Sequence, residues 1–87
     1  MQANAIQRSL DLSLAESKLA LAIFHGLSVQ HAARSLGRSY NTCKTQMKAI
    51  YLKTGCASQA ELVKKIMLVG FASLVDQNAA GVLRSVR

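Results

Sequence analysis

Apolar residues recur along the chain at intervals of three and four, with no clear strand alternation and no proline to interrupt them. That spacing is the mark of helices with one buried face. Serines and glycines supply the punctuation. Ser13 and Glu16 have the spacing of a capping box, in which the hydroxyl accepts from a free backbone amide and the carboxylate reaches back. They open a predicted helix over 14–25, which Gly26 stops. Ser28 caps a short helix over 29–36, stopped by Gly37, and Ser39 caps a longer one over 40–54, stopped by Gly55. Ser58 and Glu61 form a second capping-box pair and open a fourth helix over 59–69. Phe71, Leu74 and Val75 keep the helical spacing past Gly70, so this helix can extend to about residue 76.

The expected architecture is therefore all-α, a four-helix bundle with a central helix-turn-helix. Residues 1–11 carry few signals and read as a flexible N-terminal segment. Residues 12–76 form the domain, and 77–87 read as a frayed tail. A chain of 87 residues fits one domain, and one this short gains from a partner.

The predicted helix over 40–54 divides sharply when its residues are spaced about 100° apart. Cys43, Met47, Ile50, Tyr51 and Thr54 share one side and form a core stripe. Asn41, Lys44, Thr45 and Lys48 are thereby forced outward together, with Thr42, Gln46, Ala49 and Lys53 between the two faces. Each outward side chain can hydrogen-bond, and none is acidic.

Charge sharpens this picture. Eleven Lys and Arg oppose four acids, for a net charge of +7. From Ser17 through Ala60 there is no acid, while Lys18, Arg34, Arg38, Lys44, Lys48 and Lys53 all fall there. A basic face on a small domain is usually just solvated. The acid-free interval, the short helix-turn-helix connection over 37–39 and the polar outer face together point instead to double-stranded DNA. In such a motif the second helix enters the major groove, where lysines meet guanine edges and phosphates. Asn41, Lys44, Thr45 and Lys48 are the candidate base readers. Ser28, Gln30, His31 and Arg34, on the preceding helix, are available to phosphates.

The series of motifs resembles the LuxR/GerE-type DNA-binding domain of bacterial transcription regulators. Leu12-Ser13-Leu14-Ala15-Glu16 stands where the family has Leu-Thr-Pro-Arg-Glu. Gly26-Leu27-Ser28, Ala32-Ala33, Leu36-Gly37 and Ser39 follow in register. Thr42-Cys43-Lys44-Thr45-Gln46 takes the place of Thr-Val-Lys-x-His, and Ile50 through Cys56 that of Ile-x-x-Lys-Leu-Gly-Val. The register runs without a gap from Leu12 to about Val63. The resemblance implies base contacts at Lys44, Thr45 and Lys48, backbone contacts near Thr42 and Lys53, and a dimer contact through the fourth helix. Ala15, Arg38 and Gln46 depart from the family pattern at an arginine, an apolar and a histidine position. Larger members carry a sensor domain ahead of this one, so the chain reads as a stand-alone short member or an excised C-terminal domain.

The expected backbone set is Ser28, Arg34, Arg38, Thr42, Gln46 and Lys53. On the fourth helix, Leu62, Ile66 and Val69 form one apolar row that can pack on the domain. Val63, Met67, Gly70, Phe71 and Leu74 form a leftover stripe suited to a homodimer. The bland alternative is that Val82, Leu83 and Val86 fold back over it.

Other classes find less support. The spacings of His25, His31, Cys43 and Cys56 match no common zinc pattern, and both cysteines read as small buried hydrophobes, so no metal or cofactor is expected. The acids Asp11, Glu16, Glu61 and Asp76 are scattered and pair with no nucleophile, so no enzyme is expected. The longest apolar run, Ile66 to Val75, is about half a membrane span. A cytoplasmic, nucleoid-associated bacterial protein is the expectation. The competing reading is an interaction protein, pairing through the fourth helix with a full-length regulator, or a co-regulator contacting RNA polymerase.

Overall fold

Helix boundaries in this chain follow its capping chemistry. The computed structural model describes residues 3–70. They form α1 (Ala3–Leu10), α2 (Leu14–Phe24), α3 (Val29–Leu36) and α4 (Tyr40–Thr54), followed by α5, helical from 59 through 70. The fold is all-α.

Each expected serine cap is in place. At α2, the Glu16 amide donates to Ser13 Oγ at 3.1 Å and the Ser13 amide donates to Glu16 Oε1 at 2.9 Å, closing the capping box. Ser28 accepts from the His31 amide and Ser39 from the Thr42 amide, both at 3.1 Å. At α5 the box closes differently. Ser58 Oγ accepts from the Glu61 amide at 3.2 Å, but Glu61 reaches past Ser58 to the Ala57 amide at 3.3 Å.

The structure differs from the sequence reading at the N-terminus. Residues 3–10 are a helix packed on α2, not a flexible segment, so the bundle has a helix more than the pattern announced. Ile6 and Leu10, one turn apart, are both buried in the common core. This helix stops without a glycine. Asp11 takes up the left-handed conformation at φ 56°, and the Leu12 amide bonds back to the Gln7 carbonyl at 3.1 Å. The same closure recurs after α3 at Gly37, φ 69°, with the Arg38 amide on the Ala33 carbonyl at 2.9 Å. That bond satisfies an end carbonyl and reverses the chain sharply into the turn before α4.

The core joins Leu19, Ala20 and Ile23 of α2, Ala32 and Ala33 of α3, Cys43, Met47 and Ile50 of α4, and Leu62 and Ile66 of α5. Alanines at Ala20, Ala32 and Ala33 leave room for close approach of α2 and α3. Leu21, Ala22 and Phe24 pack partly buried against the same core. The two buried hydroxyls are paired locally: Ser17 donates to the Ser13 carbonyl at 2.8 Å, Thr54 to the Ile50 carbonyl at 2.7 Å. Lys65 Nζ donates to the Thr54 carbonyl at 2.6 Å and so ties α5 to the end of α4. The predicted extension of this helix to residue 76 and the tail over 77–87 lie outside the described residues.

Candidate nucleic-acid interface

α4 presents two faces because its buried residues leave the others no choice. Cys43, Met47, Ile50 and Thr54 are in the core, and Tyr51 is half-buried beside them. Burial raises the Tyr51 hydroxyl above its ordinary pKa, and the nearby Cys56 adds to the effect. The opposite face carries Asn41, Lys44, Thr45 and Lys48, all exposed. Lys44 Nζ stands 4.8 Å from the centroid of the Tyr40 ring, a cation–π contact that orients it near the start of the helix. Thr45 donates its hydroxyl proton to the Asn41 carbonyl at 3.1 Å, and its side chain remains exposed. Lys48 has no hydrogen-bond or ion-pair partner among the described residues. Asn41, Thr42, Thr45 and Gln46 line a shallow open depression along this face.

The expected backbone-contact residues do not all share that freedom. Arg34 and Ser28 are exposed on α3, where Ser28 Oγ also lies 3.1 Å from His31 Nδ1. Thr42 is exposed and accepts from the Ser39 hydroxyl at 2.8 Å. Arg38 and Gln46 are partly buried and bonded to each other. Arg38 Nη1 donates to Gln46 Oε1 at 2.9 Å and to the Ala15 carbonyl at 3.0 Å. The arginine neither stands free at the surface nor loosens the turn. It fastens the turn to α2 and α4 together.

Lys53 is likewise committed. Its Nζ lies 2.8 Å from Glu16 Oε1, an ion pair across α2 and α4. Burial pushes the Glu16 carboxyl up, but the hydrogen bonds from Lys53 and Ser13 and the charge of Lys53 outweigh it, and the net pKa is lowered. The two fastenings, at Gln46 and at Lys53, stand two helical turns apart on α4 and fix its angle to α2.

On α5, Leu62 and Ile66 are buried, as the first apolar row required. Of the leftover stripe, Val63 and Gly70 are half-buried and Met67 is exposed, while Phe71 and Leu74 lie outside the described residues. Leu68, which the stripe did not include, is 59% exposed beside Met67 at 56%. Cys43 and Cys56 are free, buried thiols. Among the described residues no three His, Cys, Asp or Glu side chains converge, and no helix is long and apolar enough to cross a membrane.

Two further surface residues belong to α4 and were not singled out by their sequence. Tyr40 supplies the ring under Lys44, and Leu52 is 85% exposed on the polar side. The spacing of Leu52 from Lys48, one turn along the helix, was the available signal. No protein-family model, curated protein or solved structure matches the chain.

Proposed function

We propose that this chain is a sequence-specific DNA-binding transcription regulator of the LuxR/GerE type, which inserts α4 into the major groove and binds as a homodimer through α5. The observation that carries the reading is the acid-free row of Asn41, Lys44, Thr45 and Lys48, exposed on a helix whose other side is locked in the core. Arg34 of α3 and its capping residue Ser28 are exposed, which suits them to the proposed phosphate contacts. Acting on DNA, the protein would work in the bacterial cytoplasm, on the nucleoid.

The chemistry follows from that row. Lysine Nζ donates to guanine O6 and N7, asparagine pairs with adenine N6 and N7, and a threonine methyl packs on thymine. Phosphate contacts give position and salt dependence, and base contacts give sequence. The test is unbiased selection from random duplex DNA at two salt concentrations. A two-fold symmetric site should be enriched, with half-sites about one helical turn apart. Lys44→Ala or Lys48→Ala should each weaken binding to that site by about 1–3 kcal/mol and relax preference at one position. Unchanged binding by both variants sinks the proposal.

A second reading has its own support. Arg38, Gln46 and Lys53 are spent on contacts within the chain, which reduces the supply of phosphate ligands, and Met67 and Leu68 are exposed. Both facts suit a chain that pairs through α5 with a full-length regulator, or a co-regulator that contacts polymerase. Co-purification with a longer regulator, with no salt-sensitive DNA shift by the isolated protein, would favour it.

A further inference from the structure

Leu52 is the most exposed of the large apolar side chains described, at 85%. A single exposed leucine is ordinary on a protein surface. Its position is what sets this one apart. At about 100° per residue, Asn41, Thr45, Lys48 and Leu52 fall within an arc of about 60° on α4. Leu52 therefore ends the very row that the core forces outward.

That row extends about 16 Å along the helix axis, a span of several base pairs for a helix that follows the groove. A helix that entered the groove end-on would bring only its first turns to the bases and would leave Leu52 in water. We infer that α4 lies lengthwise in the major groove and that Leu52 packs against the C5-methyl of a thymine at the far edge of the half-site. This rests on the DNA-binding reading and extends it to docking angle and base preference.

The surroundings favour this occupant over a protein. Lys48 precedes Leu52 by one turn and carries no partner among the described residues, while the neighbouring Lys53 is paired with Glu16, so the leucine is a small apolar spot beside a free cation. Protein docking patches run to several hundred Å² of contiguous apolar surface. In the major groove, thymine is the base that presents a methyl group, within a polyanion that suits Lys48 one turn away.

The experiment compares the full chain with Leu52→Ala, whose helicity at an exposed helical site should be intact by circular dichroism. Both are put through DNA selection at two salt concentrations. The wild type should prefer thymine at one outer position of each half-site. Leu52→Ala should lose that preference alone and keep the wild-type salt slope, because the slope counts phosphates. Replacing that thymine with deoxyuridine should weaken wild-type binding about fourfold, the worth of one buried methyl group, and leave Leu52→Ala unaffected. Two results overturn the inference while the DNA-binding reading stands: a selected site unchanged by Leu52→Ala and insensitive to deoxyuridine at every thymine, or a Leu52→Ala variant whose only change is its oligomeric state. If the wild type enriches no site, the DNA-binding reading fails and this inference falls with it.

Discussion

Glu16 joins two structural roles on one oxygen. Its Oε1 accepts from the Ser13 amide at 2.9 Å and from Lys53 Nζ at 2.8 Å, so a helix cap and an inter-helix ion pair share an atom. The pKa lies below the ordinary value of 4.5, because the hydrogen bonds from Lys53 and Ser13 and the lysine charge overcome the opposing effect of burial. A carboxylate depressed in the folded state stabilises the fold above its unfolded pKa. The contribution is lost as pH falls through the lower, folded value. Glu16→Gln can keep the cap, since glutamine also serves in a capping box, and removes only the charge. The variant should be less stable than the wild type at pH 7 by about 1 kcal/mol or less, given how exposed Lys53 is. Thermal unfolding followed from pH 7 to pH 3 should show that difference shrinking below 4.5 as the wild-type carboxylate is protonated.

Among the elements, α1 separates local from tertiary causes most clearly. It has no serine cap, no acid in its first turn and no closing glycine, and eight residues are too few to hold a helix in water. It exists because Ile6 and Leu10 are buried in a core shared with α2. Ile6 is fully buried, so Ile6→Ala should cost about 2–5 kcal/mol by urea unfolding. A loose N-terminal arm would show no such loss. α4 is the contrasting case. Its cap is Ser39, which accepts from the Thr42 amide at 3.1 Å and donates to the Thr42 hydroxyl at 2.8 Å. Ser39→Ala should lower stability by about 1 kcal/mol. If Thr42 holds a phosphate, the variant should also weaken DNA binding beyond what the stability loss explains, measurable well below the melting temperature.

For the whole molecule, the apolar outer side of α5 is the surface that calls for a partner. A domain this small keeps a modest core, and Met67 and Leu68 remain exposed on a helix whose inner residues, Leu62 and Ile66, are already buried. A homodimer through this face would set the distance between two copies of α4, and with it the half-site spacing. Met67→Glu should convert a dimer to a monomer in sedimentation equilibrium while leaving helicity intact. Its binding to a symmetric site should weaken, and its binding to a single half-site should stay as it was. A wild type that is monomeric at all concentrations used for DNA binding would count against the dimer.

The sequence by itself determined the helices from residue 14 to residue 70, their serine caps, the glycine at the turn before α4, the buried stripe of Cys43, Met47 and Ile50, and hence the outward row of Asn41, Lys44, Thr45 and Lys48. Those features are legible because capping and the 3.6-residue period are written within a few residues of where they act. The tertiary structure decided the rest. It recruited α1 to the core through two side chains one turn apart, a spacing too short to announce a helix without a cap or a closing glycine. It drew Arg38 to a carbonyl 23 residues away and Lys53 to a carboxylate 37 residues away, taking both, with Gln46, out of the free cationic and polar surface. A side chain's availability depends on which distant groups folding brings within about 3 Å of it, and no pattern of neighbours along the chain encodes that distance.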